Sequence, residues 1–138
     1  MLLGRDDILI PVSIFSGSHG PLESLVLYLK DQKGMAVPEI ALRLNRDRQT
    51  IWSTYYRVRG STLEVKPGIS VPLSLFLKNK ASMLESLSHY LRDILGLSNA
   101  EIAAILRRDS RTIFTCYRRF SYKVNAHKRR NNSKEASR

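Results

Sequence analysis

The chain has 138 residues, of which 43% are hydrophobic, so it can bury a core as one ordinary domain or as two small ones. The single cysteine, Cys116, excludes an internal disulfide, and packing alone must hold the fold. The formal net charge of +11 favours a polyanionic partner. This charge rises along the chain, from +2 in residues 1–60 to +4 in residues 61–121 and +5 in residues 122–138.

The sequence has neither a membrane span nor a secretory signal. No uninterrupted apolar run approaches the roughly 20 residues that cross a bilayer. Arg5, Asp6 and Asp7 interrupt the apolar N-terminus, which differs from a signal peptide with its charged start and apolar block. We therefore expect a soluble cytoplasmic protein with no membrane partner.

The first predicted element is a short arm at residues 8–15, ILIPVSIF, and its pattern P-x-S-x-F returns at residues 69–76 as ISVPLSLF. Alternating apolar residues predict an extended segment, which Pro11 keeps at an edge. A helical turn with proline at its first position is the alternative. An arm that packs on its own repeat is a better interpretation than a strand that docks a partner.

A first helix is predicted over Pro21–Lys33 and a matching one over Met83–Leu95, each closed by a glycine, Gly34 or Gly96. The inward face of the first helix carries apolar residues at helical spacing: Leu22, Leu25, Val26 and Leu29. Gly20 and Pro21 start one helix, and Ser82 with Glu85 forms a capping box for the other.

Two further helices follow in each repeat. The second begins near Val37 or Asn99, where Ser98 and Glu101 form a capping box. The third is capped by Asp47 or Asp109. The inward residues of these helices have the same spacing in both repeats: Ile40, Ala41, Leu44, Ile51 and Tyr55, and Ile102, Ala103, Leu106, Ile113 and Tyr117.

These regions are an internal duplication. Residues 22–57 and 84–119 share 18 identities in 36 aligned positions. We expect an all-α fold of two tandem three-helix units, each preceded by a short extended or turn segment, arranged as a fused pseudo-dimer. The predicted boundaries are given by residue number: first repeat with its N-terminal arm 1–60, linker 61–68, second repeat 69–121, and flexible basic tail 122–138.

The pair of second and third helices resembles the helix-turn-helix superfamily of DNA-binding proteins, most nearly three-helix members such as region four of bacterial sigma factors. In that frame a small residue is followed ten positions later by a buried Ile or Val, as in Ala41 with Ile51 and Ala103 with Ile113. The frame usually has glycine four residues after the alanine, where this chain has Asn45 and Arg107. Arginine tolerates a left-handed turn less well than asparagine, so we expect a reshaped second turn.

The resemblance implies that the third helix enters the major groove, with Arg111 contacting guanine and Gln49 contacting adenine. The residues it places against bases are Arg48, Gln49, Ser53, Ser110, Arg111 and Thr115. Other cations are expected to bind phosphates and so position the protein. They are Arg46, Arg57, Arg59, Arg107, Arg108, Arg118, Arg119, Lys123, Lys128, Arg129 and Arg130.

Other chemistry is not indicated. We expect Trp52 and Phe114 to pack on the first helix or on the other repeat, with base or sugar contact as the alternative. Cys116 aligns with Thr54 and is interpreted as a small helix residue. The histidines lack metal-ligand companions, and there is no catalytic triad or phosphate loop. The sequence therefore predicts no enzyme activity, metal or cofactor.

The function hypothesis is double-stranded DNA binding by a nucleoid-associated transcription regulator or chromosome-organising factor. In one variant only the second repeat and the tail bind DNA, while the first repeat binds protein such as the transcription machinery. The second hypothesis is an RNA- or ribosome-associated factor that uses its basic tail. The third is a homo-oligomer that coats nucleic acid through partly exposed Leu27, Tyr28 and Trp52.

Overall fold

The computed structural model describes residues 7–77 and 80–136, with side chains through residue 126. The described chain is predominantly helical, as the sequence predicts. Its six α-helices are α1 (Pro21–Leu27), α2 (Val37–Leu44), α3 (Arg48–Val58), α4 (Met83–His89), α5 (Asn99–Leu106) and α6 (Ser110–Ala136). We call residues 1–60 the first half and residues 61–138 the second half. None of the helices within the described residues combines the length and the hydropathy that a bilayer crossing needs.

Each predicted arm is a strand followed by a helical turn, so both interpretations of the motif hold in part. Strand β1 (Leu9–Pro11) runs into a 3-10 helix (Val12–Ser16), and strand β2 (Ser70–Pro72) runs into another (Leu73–Phe76). The proline that ends each strand is still extended, with ψ of 128° for Pro11 and 142° for Pro72, and the 3-10 helix begins at the next residue.

The two arms pair with each other. Leu9 lies opposite Pro72, Ile10 opposite Val71, and Pro11 opposite Ser70 in an antiparallel register. Exchanging the two motifs leaves this pairing unchanged, because Ile10 and Val71 occupy the same motif position and the outer pairs interchange. The rings that close the two motifs also meet, with a centroid distance of 5.3 Å between Phe15 and Phe76. The arms are therefore related by a local two-fold axis and pack within the chain.

The first helix of each half consists of two parts. Helix α1 continues without a break into a π-helical segment (Tyr28–Gln32), and α4 continues into another (Tyr90–Ile94). Gly34 and Gly96 then adopt φ of 67° and 76°. These left-handed values favour glycine and end the helix where the sequence predicts.

Helix starts follow the predicted caps with two corrections. Ser98 and Glu101 form the full capping box, and Asp109 accepts the N–H of Arg111 at 2.7 Å. Asp47 stands at the cap position of α3 but accepts no capping hydrogen bond. The box predicted at Ser82 is half made, because the carboxylate of Glu85 bonds elsewhere.

One core cluster joins both halves. The 3-10 helix Val12–Ser16 packs on α1 and also on α5, while Leu73–Phe76 packs on α4 and also on α2. Each arm thus bridges its own half and the other half. Leu27 and Tyr28, predicted to be partly exposed, are buried at 1% and 6% exposure. This removes two of the three residues named for an assembly surface.

The predicted flexible tail continues α6. This helix runs 27 residues to Ala136, so there is no break at residue 122. The sequence beyond residue 121 lacks an apolar period, but a helix that is already nucleated adds residues at little cost. At its start the extension is held by Phe120, whose ring stacks on His89 at 4.1 Å. The side chains of Lys128, Arg129 and Arg130, predicted to bind phosphate, lie outside the described residues.

Candidate nucleic-acid interface

The turn before the third helix is the same in both halves. Asn45 has φ 52° and ψ 48°, and Arg107 has φ 51° and ψ 49°. The next residue closes the turn in the same way, with Arg46 N–H bonded to the Ala41 carbonyl and Arg108 N–H bonded to the Ala103 carbonyl. The expected reshaping of the second turn is wrong. Arg107 instead takes the left-handed conformation, which costs a non-glycine residue about 1–2 kcal/mol.

The inward side of each third helix is fixed by one buried isoleucine and one tyrosine. Ile51 and Ile113 are fully buried. The hydroxyl of Tyr55 donates to Asp31 at 2.9 Å, and that of Tyr117 donates to Asp93 at 3.0 Å. This hydrogen bond is the largest cause that raises the pKa of Tyr55.

The Tyr–Asp pairs were not predicted, although the sequence carried a signal for them. Both residues recur in the two halves, and in each half the tyrosine follows the aspartate by 24 positions. Each pair ties the third helix to the π-helical segment of the same half. The orientation of the third helix is therefore set from its inward side.

The predicted base-reading side chains all lie on exposed positions of α3 and α6: Arg48, Gln49, Ser53, Ser110, Arg111 and Thr115. Gln49 and Ser53 each stand two residues from buried Ile51 in the sequence. At about 100° per residue, that separation places them on the far side of the helix. Arg111 and Thr115 have the same relation to Ile113, so each half presents a polar surface opposite its core contact.

Most of the predicted phosphate-binding arginines on the third helices are exposed. Arg118 and Arg119 lie on the solvent side of α6. Arg57 faces Glu23, with 3.7 Å between Nε and Oε2, and Arg59 stacks at 3.7 Å on the ring of Tyr56. The second half thus offers more cationic surface that acidic or aromatic neighbours do not occupy.

The arginines of the turns have structural contacts that the sequence did not indicate. Arg46 donates to the carbonyl oxygens of Phe76 at 2.8 Å and Leu44 at 3.3 Å, and burial lowers the pKa of its guanidinium. It fastens the first turn to the arm of the second half, so we withdraw it from the phosphate contacts. The Nε of Arg108 is buried without a hydrogen-bond partner, and Arg107 lies 3.3 Å from Glu64.

Lys123, predicted to bind phosphate, forms an ion pair with a buried carboxylate instead. Its ammonium lies 2.6 Å and 2.9 Å from the two carboxylate oxygens of Glu85 and 3.1 Å from the Lys80 carbonyl. Glu85 is 4% exposed, and a buried carboxylate needs such a partner. The sequence assigned Glu85 to capping alone, because the partner lies on an extension that was not predicted to be helical.

Aromatic rings flank the polar surfaces. Trp52 and Phe114 are each 49% exposed, so the predicted packing covers only part of each ring. Tyr56 and Tyr122 are also exposed, at 51% and 74%. Cys116 is buried, as expected of a small helix residue, and desolvation raises the pKa of its thiol.

Comparison of the chain with protein-family models, curated proteins and solved structures finds no match. In the part of the chain that the structure describes, no three His, Cys, Asp or Glu side chains converge as metal ligands would. The two third helices, with their exposed polar side and the charge they carry, therefore form the candidate site.

Proposed function

We propose that the chain is a tandem pair of duplicated three-helix, helix-turn-helix units that binds double-stranded DNA. One observation carries this proposal. In both halves an exposed helix start follows the same left-handed turn, with buried isoleucine on one side and polar or cationic residues on the other. A helix held in this way has its N-terminal side chains available to base edges in a major groove.

The relation between the halves supports DNA binding through both third helices. The symmetric pairing of β1 with β2 and the crossed packing of the arms support an arrangement of the halves about a local two-fold axis. If the helical units follow the same axis, α3 and α6 address successive major grooves about 34 Å apart on one face of the duplex. Arg111 to guanine and Gln49 to adenine are the base contacts we assign.

The phosphate contacts are assigned to the exposed cations that remain after the corrections above. They are Arg57, Arg59, Arg107, Arg118 and Arg119. Three of the five lie on the third helices, Arg59 follows the end of α3, and Arg107 lies at the turn before α6. Such contacts hold the protein on DNA without reading sequence. A nucleoid-associated role, in transcription regulation or chromosome organisation, is the biological setting that we propose.

The test is binding by the full chain to a random-sequence duplex, measured by fluorescence anisotropy across a salt series. Duplex DNA, single-stranded DNA and structured RNA compete in separate arms. Duplex is expected to compete best, and each phosphate contact adds about 0.9 to the salt slope. Arg118→Ala/Arg119→Ala should lower that slope by about 2. Lys33→Ala/Lys66→Ala removes two charges whose contacts, Tyr28 and Glu64, lie outside the third helices, and is the control.

Other outcomes contradict the proposal. Preferred competition by structured RNA favours the RNA-associated hypothesis, in which residues 122–138 supply the main contact. An equal loss of slope in the control variant shows binding through net charge alone. The hypothesis of a homo-oligomer that coats nucleic acid is tested separately, by light scattering with and without DNA. A monomer in both conditions would exclude that hypothesis.

A further inference from the structure

Gln49 and Arg111 hold the same position in the two third helices. Each is the second residue of its helix, since α3 starts at Arg48 and α6 at Ser110, and each is exposed. The turns before them have nearly identical dihedral angles. The two side chains therefore project from equivalent positions of the same local backbone structure.

The two arms are related by two-fold symmetry, as the register between β1 and β2 records, and the proposed DNA-binding arrangement extends this axis to the helical units. Two helices related in this way read two half-sites from the same relative position. Positions 49 and 111 then face the equivalent base pair in each half-site. Identical side chains there require the same base pair twice, as in a palindrome.

The side chains at this position differ. Glutamine pairs in a bidentate manner with adenine, and arginine pairs with the O6 and N7 of guanine. We propose, on the basis of the DNA-binding function above, that the target is a duplex with two unequal half-sites. An A·T pair faces Gln49 at the position where a G·C pair faces Arg111. A single chain therefore binds its site in one orientation.

The neighbouring positions differ in the same way. Arg48 on α3 is matched by Ser110 on α6, and Ser53 is matched by Thr115. All four are exposed, so no packing requirement explains the differences. The backbone is symmetric at these places and the surface chemistry is not. This combination is what a non-palindromic site requires.

The experiment selects duplexes from a randomised pool with the full-length chain. Two half-sites about one helical turn apart are expected, with A·T in one and G·C in the other at the equivalent position. Gln49→Arg should convert only the A·T pair to G·C. For the unmodified chain, replacing one of the two selected pairs should lower affinity about tenfold to a hundredfold. Gln49→Arg/Arg111→Gln should interchange the two base pairs. Gln32→Arg makes the same chemical change on an exposed position outside the third helices and should leave the selected site unaltered.

The outcomes separate this inference from the proposed function. A palindromic site for the unmodified chain, or Gln49→Arg that alters both half-sites or neither, overturns the inference and leaves DNA binding intact. Duplex binding without any selected sequence also overturns the inference and leaves DNA binding intact. Failure to bind duplex DNA overturns the proposed function itself. Circular dichroism melting of each variant verifies that the comparison is between folded proteins.

Discussion

Ile10 lies directly opposite Val71 in the antiparallel pair, and the two residues hold the same position in two occurrences of one motif. An antiparallel pair centred on equivalent residues is its own image under a two-fold rotation. The same relation appears in the flanking hydrogen bonds, since Val12 N–H bonds to the Ile69 carbonyl at 2.9 Å and Leu73 N–H bonds to the Ile8 carbonyl at 2.8 Å. The join between the halves is thus built from a repeated segment paired with itself.

Removing one ring at this join should weaken both halves together. Phe15 is fully buried against Phe76, and Phe15→Ala should lower the free energy of unfolding by about 3–5 kcal/mol. Urea unfolding followed by circular dichroism measures the loss, which should appear as one cooperative transition. Leu9→Ala, on a residue 55% exposed in the same arm, is the control. A loss no larger than that of the control would contradict the role of the ring.

The ion pair between Lys123 and Glu85 should matter because its carboxylate is buried. Lys123→Met leaves the Glu85 carboxylate without a cation and should cost about 3 kcal/mol in thermal or urea unfolding. Glu85→Leu/Lys123→Met should restore most of that stability. Lys66→Met breaks an exposed pair with Glu64 at the same 2.6 Å distance and should change stability little. Equal effects of the two lysine variants would show that burial does not decide the outcome.

The left-handed residue at the second turn should favour glycine. Arg107→Gly and Arg107→Ala both lose the contact with Glu64, so their difference isolates the backbone conformation. The glycine variant should be more stable than the alanine variant by about 1 kcal/mol in urea unfolding. Asn45→Gly should gain less stability over the unmodified chain than Arg107→Gly gains over Arg107→Ala, since asparagine tolerates this conformation. Equal stabilities of the Arg107 pair would indicate that the turn changes conformation without the arginine.

Charge reversal should weaken DNA binding more in the second half than in the first. Arg57 lies near Glu23, and the first half carries a net charge of only +2. Arg111→Glu/Arg118→Glu should therefore reduce duplex affinity more than Arg48→Glu/Arg57→Glu, as measured by anisotropy at several salt concentrations. Equal losses of duplex affinity would reject DNA binding mainly through the second half and would favour equivalent contacts from both halves.

The thiol of Cys116 should react slowly in the folded protein. Desolvation raises its pKa, so less thiolate is present at pH 8 than for an exposed cysteine, and the thiolate is the reactive form. A thiol reagent followed by absorbance should react much faster after urea is added. Cys116→Thr copies Thr54, the aligned residue of α3, and should keep the native melting temperature within a few degrees. Equal rates with and without urea would contradict the burial of this side chain.

Helical spacing predicted much of the fold, because local periodicity and caps act over one or two turns. The inward residues Ile51 and Ile113 are buried, the Ser98 capping box forms, and Gly34 ends its helix. The extension of α6 was not predicted, since its support comes from Glu85, 38 residues earlier in the chain.

The candidate site was predictable only in part. The six residues predicted to read bases are exposed, and helical spacing accounts for four of them, since Gln49, Ser53, Arg111 and Thr115 stand two positions from a buried isoleucine. The partners of the arginines were not predictable. Arg46 bonds to Phe76, 30 residues away, and no local pattern distinguishes that structural arginine from an exposed one.

The sequence by itself determined most of the helices, their inward faces and the repetition of both, because neighbouring residues are enough to set them. Only the tertiary structure decided that the arms cross between the halves and pair about a two-fold axis. It also decided which cations are used within the fold. Both depend on contacts between residues far apart in the chain. For such contacts the distance and burial in the folded chain determine which residue a side chain meets, and the residue type alone does not.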